Sequence, residues 1–296
     1  ELRVPGDWNS QDPRWLWYEG LGWYRRRFAP PALRDGERAI LYFEGANYFT
    51  HVFLNGEKVG EHEGGFTPFA FDVTDALRDD NSLVVGVSNQ RRAGGIPVSD
   101  ADWWNYGGLT RPVRLVVVPA THVHDYVVRL EERAGRETIT ARVAVAGSAR
   151  AGLPVTVSIP ALGIRATART DAEGTATLAA APRALRRWSP ESPTLYEVTV
   201  IAGRDTVRER IGFRTVAVRG LDILVNGVPT WLRGISIHEE AIGDAPGTGT
   251  RTLDRASARR LLLEAKALGC NFVRLAHYPH SETMTQLADS LGLLVW

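Results

Sequence analysis

Cysteine is nearly absent from this chain, because Cys270 is the single one among 296 residues. A lone cysteine excludes an internal disulfide framework and any metal site built from several cysteines. No apolar run approaches the roughly 18 residues that a membrane-spanning helix needs, so no membrane partner is expected. An excess of one charge sign is also missing, since 35 Lys and Arg face 34 Asp and Glu. The resulting net charge of +1 provides no overall field that would hold a nucleic acid.

The two ends lack the features of a finished chain. The sequence opens at Glu1 without a methionine or a signal peptide. It is compatible with removal of a leader, and the compartment stays open between periplasmic, secreted and cytoplasmic. It stops at Trp296, the last residue of the apolar run Leu291–Trp296, with no cap or polar tail. We therefore expect this chain to be part of a longer protein.

Residues 1–120 are predicted to form a β-sandwich. Short segments rich in Val, Phe, Tyr and Leu alternate with turn signals, and helical periodicity is almost absent. Asn55 and Gly56 follow one such segment, His51–Leu54, and predict a tight hairpin. Six of the nine tryptophans lie in or beside two long loops, Asp7–Trp17 and Arg91–Leu109. The other predicted strands are Ala39–Glu44, Phe69–Val73, Ser82–Ser88 and Val113–Pro119.

Residues 121–218 differ in composition, because Ala, Val, Thr and Arg dominate. Seven short predicted strands in about 100 residues fit an immunoglobulin-like sandwich. The strands are Val123–Leu130, Thr138–Ala146, Pro154–Ile159, Ile164–Thr170, Thr175–Ala179, Leu195–Ala202 and Thr206–Val216. The expected role of this sandwich is that of a structural spacer.

From residue 219 the pattern changes to strand–helix–strand–helix–strand, which predicts a parallel α/β arrangement with right-handed crossovers. The elements are a strand Trp231–Ile237, a helix Thr252–Leu268, a strand Asn271–Ala276, a helix Glu282–Leu291 and a strand Leu293–Trp296. Five elements are too few for a closed (β/α)₈ TIM barrel of about 250 residues, but they fit its first three strands. The chain is therefore predicted to be multidomain, with a β-sandwich over 1–120, an immunoglobulin-like sandwich over 121–218 and an incomplete barrel over 219–296.

His238, Arg274 and His277 stand out as candidate site residues from their positions. Each lies at, or just past, the C-terminal end of a predicted parallel strand, where barrel enzymes place their chemistry. Imidazole and guanidinium donors suit a polyhydroxylated ring, and Arg274 can also keep a nearby carboxylate ionised. The alternative is that all three are structural residues, satisfied within the core.

Asp102, Trp103 and Trp104 form a second candidate constellation. A carboxylate accepts hydrogen bonds from vicinal hydroxyls, and an indole face packs on the apolar C–H face of a pyranose. The alternative for Asp102 is a loop residue that caps its own turn. Trp103 and Trp104 stay open between sugar contact and core packing.

Other chemistry-bearing residues are not predicted to form a site. Glu239 and Glu240 are neighbours on an extended chain, so their carboxylates point to opposite faces and do not form an acid–base pair. His277 and His280 lack further ligands at metal spacing, and Pro279 breaks any helix that would align them. No metal site and no cofactor are predicted, and a structural cation stays open.

Motifs along nearly the whole chain resemble glycoside hydrolase family 2, which includes β-galactosidases, β-glucuronidases and β-mannosidases. The run Asp102–Val113 resembles the loop that the family's sugar-binding domain sends into the active site. Asn271–Arg274 with His277–His280 resembles the second barrel strand, and Leu224–Gly227 with Leu232–Gly234 resembles the first, which ends in His238. Further similar segments are Gly22–Phe28, Phe43–Ala46, Val52–Gly56, Gly64–Phe69, Trp188–Pro190, Pro193–Tyr196 and Gly212–Arg214.

The resemblance implies a fold and a set of roles. The three domains become a jelly-roll sugar-binding domain, an immunoglobulin-like domain and the start of a catalytic TIM barrel. In the family, the positions that match Asp102, His238 and His277 contact the sugar, and the one that matches Arg274 supports the catalytic carboxylates.

The family's two catalytic glutamates lie on later barrel strands, with the acid/base in an Asn-Glu pair. No Asn-Glu dipeptide occurs in this sequence, so no catalytic residue is expected within it. The predicted function is an exo-acting, retaining β-glycosidase for terminal β-linked sugars, with a β-galactoside favoured and a β-glucuronide or β-mannoside as alternatives. The second hypothesis is a truncated, non-catalytic carbohydrate-binding protein. The expected partner is a carbohydrate, and assembly into a homo-oligomer stays open.

Overall fold

The fold comes from a computed structural model, which describes residues 1–95, 98, 101, 103–241 and 249–296. The chain forms two compact units, each made of several segments. The first unit contains Glu1–Val117, Ile237–Arg260 and Leu275–Thr283. The second contains Val118–Ser236, Leu261–Arg274 and Met284–Trp296.

The first β-sandwich has seven strands. They are β1 (Leu21–Phe28), β2 (Glu37–Phe43), β3 (Phe49–Leu54), β4 (Glu57–Glu63), β5 (Phe69–Asp72), β6 (Asn81–Ser88) and β7 (Val113–Pro119). One sheet has the order β1-β6-β3-β4 and the other β5-β2-β7. Their inner faces share one core, in which Phe43, Val52 and Val87 are fully buried. Asn55 and Gly56 have φ values of 55° and 89°, so the predicted tight turn joins β3 to β4.

Strand β1 was absent from the sequence prediction. It is an edge strand with mostly exposed side chains, and Arg25, Arg26 and Arg27 follow one another within it. Three consecutive cations hide the apolar–polar alternation by which a half-buried strand is recognised.

The second sandwich also has seven strands, as predicted. They are β8 (His122–Arg133), β9 (Arg136–Ala146), β10 (Pro154–Ile159), β11 (Ile164–Arg169), β12 (Thr175–Ala180), β13 (Tyr196–Ala202) and β14 (Asp205–Ile211). The sheet orders are β12-β9-β8 and β11-β10-β13-β14. Apolar side chains from both sheets fill the core, including Val143, Ile159 and Leu162.

A small antiparallel sheet follows, and it corrects one sequence prediction. Its strands are β15 (Val216–Arg219), β16 (Asp222–Val225) and β17 (Val228–Pro229). Leu224–Gly227, which was matched to the first barrel strand, therefore lies in this sheet. The reason is that Asn226 and Gly227 both adopt positive φ values, 54° and 81°, and turn the chain back.

The last segment has the predicted alternation of strands and helices. It contains β18 (Gly234–Ile237), α1 (Arg255–Ala267), β19 (Phe272–Leu275), α2 (Glu282–Leu291) and β20 (Leu294–Val295). The strand order is β18-β19-β20, and β19 pairs with β20 in parallel. In the described parts of the chain, neither helix has the length and apolar character to cross a membrane.

Strand β18 is shorter than the predicted Trp231–Ile237. The Asn271 side chain accepts a hydrogen bond from the Arg233 amide (2.8 Å) and donates one to the Trp231 carbonyl (3.0 Å). These backbone groups are satisfied by a side chain, so the strand begins only at Gly234.

Candidate functional site

Two predicted site residues, His238 and His277, lie side by side. His238 directly follows β18, and His277 comes two residues after β19. Their ring centroids are 5.1 Å apart, and the rings are almost perpendicular at 84°. The Tyr278 hydroxyl lies 3.4 Å from His238 Nδ1. The structure therefore brings these two histidines together at the ends of neighbouring strands.

Trp103 contributes an aromatic wall beside the histidines. Its ring centroid is 5.6 Å from that of His277, 6.1 Å from that of His238 and 5.8 Å from that of Tyr278. The indole Nε1 is buried and has no hydrogen-bond partner among the described residues. Three segments that are distant in sequence thus converge, and we refer to Trp103, His238, His277 and Tyr278 as the aromatic group.

Two other predicted site residues, Trp104 and Arg274, are outside the aromatic group. Trp104 packs against Trp17, with ring centroids 4.7 Å apart. Arg274, in the second unit, has its guanidinium carbon 5.1 Å from the centroid of the Trp296 ring. Asp102 lies outside the described residues. The sugar-binding or supporting roles of all six candidates stay predictions.

A buried ion cluster centres on Glu239, the residue after His238. Arg111 Nη2 lies 2.5 Å from Glu239 Oε2, and Arg251 Nη2 lies 3.5 Å from the same oxygen. The Arg111, Glu239 and Arg251 side chains are only 8%, 5% and 4% exposed. Burial lowers the pKa of Arg251, because it disfavours the charged form. Two cations on one carboxylate offset the desolvation that burial of these charges costs.

Arg111 forms hydrogen bonds with residues that follow each of the two histidines in the sequence. Besides Glu239, it donates hydrogen bonds to the Pro279 carbonyl (2.7 Å) and to the Phe66 carbonyl (3.0 Å). Glu239 directly follows His238, and Pro279 comes two residues after His277. One guanidinium from the sandwich therefore bonds the side chain of the residue after His238 and the backbone carbonyl two residues after His277.

Arg251 and Asp7 hold the other side of this cluster. The Arg251 guanidinium lies 4.0 Å from the Tyr278 ring centroid and 4.6 Å from that of Phe66. The buried Asp7 carboxylate accepts hydrogen bonds from the Thr250 hydroxyl (2.8 Å) and the Arg251 amide (3.1 Å). Asp7 thus ties the N-terminal segment to the chain that leads into α1.

Burial also shifts the proton equilibria around the aromatic group. The Glu240 carboxyl has Oε1 3.8 Å from His238 Nδ1, and desolvation raises the pKa of Glu240. Desolvation lowers the pKa of His280 to about 4 and raises that of Tyr278 to about 12. Glu239 and Glu240 have different partners, so they do not act as a pair.

The aromatic group can position a sugar by hydrogen bonds and ring packing. Its imidazoles and tyrosine hydroxyl can bond to ring hydroxyls, and an indole face suits the C–H face of a pyranose. Retaining hydrolysis also needs two carboxyls about 5–5.5 Å apart across the sugar, and Glu239 is held by two arginines instead. Within the described ranges, no three His, Cys, Asp or Glu side chains are grouped so as to hold a metal ion.

The ion cluster is not among the sites predicted from the sequence. Arg111 and Glu239 are separated by 128 positions, and nothing in the local pattern of either one predicts the other. One feature of the sequence could have indicated the cluster. Arg111 and Glu239 are charged residues within segments whose other residues are typical of the buried part of a protein.

Three family models match the chain in succession. "Glycosyl hydrolases family 2, sugar binding domain" matches residues 3–119. "Glycosyl hydrolases family 2" matches residues 121–214, and "Glycosyl hydrolases family 2, TIM barrel domain" matches residues 216–296. With the sheets described above, these matches confirm the predicted combination of two sandwiches and the start of a barrel.

Individual proteins are similar over the same length. A β-galactosidase of Thermoanaerobacter pseudethanolicus is 30% identical over 295 residues, which cover 94% of this chain and 39% of that protein. A β-glucuronidase of Sus scrofa is 28% identical, covering 100% of this chain and 50% of that protein. The solved structure of Bifidobacterium dentium β-glucuronidase complexed with coumarin-3-O-glucuronide has a TM-score of 0.89 and 29% identity, covering 99% of this chain and 55% of that one. The chain spans about half or less of the length of the curated relatives.

Proposed function

The chain belongs to glycosyl hydrolase family 2, and from this premise we propose that the protein containing it is an exo-acting, retaining β-glycosidase for terminal β-linked sugars. The observation that carries the proposal is the convergence of Trp103, His238 and His277 from three separate segments. An indole face with nearby imidazole donors is a set of side chains suited to binding a single pyranose.

In this proposal the chain binds and orients the sugar. His238 and His277 hydrogen-bond the hydroxyls of the terminal ring, and Trp103 packs on its C–H face. Asp102 accepts hydrogen bonds from vicinal hydroxyls, while Arg274 keeps a catalytic carboxylate ionised. Arg111 bonds the Glu239 carboxylate, next to His238, and the Pro279 carbonyl, two residues after His277, which helps to keep both histidines in place before the substrate arrives.

We place the acid/base and the nucleophile outside this chain. Hydrolysis with retention needs one protonated and one ionised carboxyl on opposite sides of the glycosidic bond. The carboxylate closest to the histidines along the chain, Glu239, is neutralised within the ion cluster. In the two curated relatives named above, half or more of the length lies outside the matched region, which leaves room for both glutamates.

The charges beside the aromatic group favour a neutral sugar, and we propose a β-galactoside. Both described guanidiniums next to the group, those of Arg111 and Arg251, are engaged with Glu239. Glu240 adds a carboxyl near His238. A uronate would bring a second carboxylate close to that of Glu240, which is unfavourable because neither arginine is free to pair with it. A β-glucuronide is the second candidate, because the similar solved structure is a β-glucuronidase complexed with a glucuronide.

The test is hydrolysis of the 4-nitrophenyl β-galactoside, β-glucuronide and β-mannoside by the full-length protein. We expect turnover of the galactoside and no turnover by residues 1–296 alone. Turnover of the glucuronide without that of the galactoside would overturn the substrate. Binding of these sugars by the full-length protein without hydrolysis of any of them would overturn the enzyme and support a carbohydrate-binding protein.

Asp102→Asn in the full-length protein tests the site. One charge-assisted hydrogen bond contributes about 1.5–3 kcal/mol, so kcat/KM should fall roughly tenfold or more while the free energy of unfolding stays the same. The matched control is Asp125→Asn, which changes an exposed aspartate of β8 and should leave kcat/KM unchanged. An unaltered kcat/KM in Asp102→Asn would reduce Asp102 to a turn residue.

A further inference from the structure

A second cleft lies in the first unit, and Trp104 is one of its walls. The cleft has a cavity volume of about 70 Å³, is open to solvent, and is lined by residues that include Trp17, Tyr18, Glu19, Arg91 and Trp104. None of its lining residues belongs to the aromatic group. We propose that this cleft is an ancillary binding site for one neutral pyranose.

The first argument is the exposure of its aromatic side chains. The Trp17 side chain is 78% exposed although it contacts Trp104, with ring centroids 4.7 Å apart and planes inclined at 51°. Tyr18, the next residue, is also exposed. A folded chain usually buries its large aromatic residues, and clustered exposed ones mark interaction sites. Inclined indole faces offer a surface on which the C–H face of a sugar ring can pack.

The second argument is the polar pair at the cleft. Arg91 Nε lies 3.1 Å from Glu19 Oε1, and both side chains are partly exposed. A carboxylate beside a guanidinium presents acceptors and donors together, which match the two roles of a sugar hydroxyl. The two charges cancel, so the cleft gives no net attraction to an anionic sugar such as a uronate. This favours a neutral ligand.

Buried asparagine side chains fix the backbone on both sides of the cleft, next to Trp17 and next to Trp104. The buried Asn9 amide donates hydrogen bonds of 2.9–3.2 Å to three carbonyls of the segment 15–18. On the other side, Asn89 and Asn105 exchange hydrogen bonds of 2.6 and 2.9 Å next to Trp104. A preformed site loses less conformational entropy on binding than a mobile one.

The size of the cleft limits the ligand. Its cavity volume of about 70 Å³ is well below the roughly 300–1,000 Å³ typical of sites that enclose a small molecule. The ligand would therefore lie on the aromatic side chains without being enclosed, which suits a single pyranose ring better than an extended oligosaccharide. The proposal concerns binding alone and does not depend on the proposed hydrolysis.

The experiment uses methyl β-D-galactopyranoside and methyl β-D-glucopyranoside as probes. They are titrated into the chain that carries His238→Ala and His277→Ala, so that binding at the aromatic group is removed. Saturation-transfer NMR and tryptophan fluorescence measure the Kd. We expect weak, millimolar binding of at least one probe, and Trp17→Ala in the same background should raise its Kd roughly tenfold or more.

Two controls make the outcome decisive. Trp231→Ala removes a tryptophan that is similarly exposed, at 81%, but belongs to the second unit, and it should leave the Kd unchanged. Trp17→Phe, which keeps an aromatic face, should recover part of the affinity. An unchanged Kd in Trp17→Ala, or no binding of either probe, would overturn the proposal. If methyl β-D-glucuronide bound more tightly than both neutral probes, the proposal that the ligand is a neutral sugar would be overturned. Because no turnover is measured, failure of the hydrolysis assay leaves this result standing.

Discussion

The two units of this chain bury different kinds of side chain. Among the described residues, twelve of the fourteen buried polar or charged side chains lie in the first unit. They are Asp7, Asn9, Asn47, Thr50, Asn81, Ser88, Asn89, Asn105, Thr110, Arg111, Glu239 and Arg251. The second unit has Thr170 and Asn271, and its sandwich is filled mainly by Val, Ile, Leu and Ala, together with Tyr196 and Phe213.

The two sandwiches therefore differ in what stabilises them, which is apolar packing in one and buried polar contacts in addition to apolar packing in the other. A buried polar group is tolerated only when hydrogen bonds or opposite charges replace the water it lost. The second unit avoids that cost, so the packing of apolar side chains carries its stability. In the first unit, buried polar groups hold irregular segments in place, and the aromatic group lies among those segments. We infer that the first unit is the more sensitive to changes of charge, and the following predictions test that inference.

The largest effect is expected from Arg111→Met. The change leaves Glu239 buried with only the longer contact to Arg251, and it removes the donor to the Pro279 carbonyl. Breaking a buried ion pair by removal of one partner costs about 3–5 kcal/mol of unfolding free energy. Urea denaturation, with hydrogen exchange to separate the two units, measures the loss.

Arg187→Met is the matched change in the second unit. Arg187 pairs with Glu132 (2.5 Å) and Glu137 (2.7 Å), but all three side chains are partly exposed. Pairs of this kind contribute about 0–1 kcal/mol, so little stability should be lost. Equal losses for the two variants would remove the distinction between the units.

The different composition of the units also explains how far sequence reasoning reached. All seven strands of the second sandwich were predicted, because apolar and polar residues alternate along segments such as Pro154–Ile159. Strand β1 was missed, since the consecutive Arg25, Arg26 and Arg27 mask that alternation. The alternation of apolar and polar residues indicates which side chains face a core, but it is a weaker signal for strands at the edge of a sheet.

For the site, the predictable part was the part set by strand ends. His238 and His277 follow the neighbouring strands β18 and β19, so their positions after strand ends already marked both as candidates. The partnership of Arg111 with Glu239 depends on tertiary packing across 128 positions, which no local pattern encodes. The same holds for Trp103 and Trp104, adjacent residues that contact different groups.

The second prediction concerns acid sensitivity of the first unit. Burial holds the pKa of His280 at about 4, below the value of about 6.5 in an unfolded chain. As the pH falls, the unfolded chain takes up the proton first. This contribution to stability is therefore complete above about pH 6.5 and is lost between about pH 6.5 and pH 4. At about 1.4 kcal/mol per pKa unit, and allowing for partial exposure, the loss is about 2–3 kcal/mol.

His280→Gln should flatten this part of the stability curve, measured by urea denaturation between pH 7 and pH 4. The control is His124→Gln, which changes an exposed histidine of β8 in the second unit and should leave the curve as it is. If His280→Gln kept the full pH dependence, carboxylates elsewhere would be responsible for the acid sensitivity.

The third prediction introduces a polar group into the second unit. Val157 lies in β10 within the apolar core and is only 2% exposed. Val157→Thr keeps the shape of the side chain but buries a hydroxyl among apolar neighbours. An unsatisfied buried polar group costs about 1–3 kcal/mol, which thermal or urea denaturation will detect. A loss below about 0.5 kcal/mol would show that this core accommodates polar groups as the first unit does.

The smallest effect, of opposite sign, is expected from Thr50→Val in the first unit. Thr50 is fully buried in β3, and its hydroxyl has no hydrogen-bond partner within the described part of the chain. Valine has the same shape and removes the desolvated hydroxyl, so the free energy of unfolding should stay equal or rise by up to about 1 kcal/mol. The control is Thr170→Val in the second unit, because the Thr170 hydroxyl accepts a hydrogen bond from the Leu153 amide (2.8 Å) and donates one to the Arg150 carbonyl (2.5 Å). That variant should lose about 1–2 kcal/mol. If Thr50→Val were the more destabilising of the two, the Thr50 hydroxyl would contribute to the stability of the first unit, and its burial would not be a simple desolvation cost.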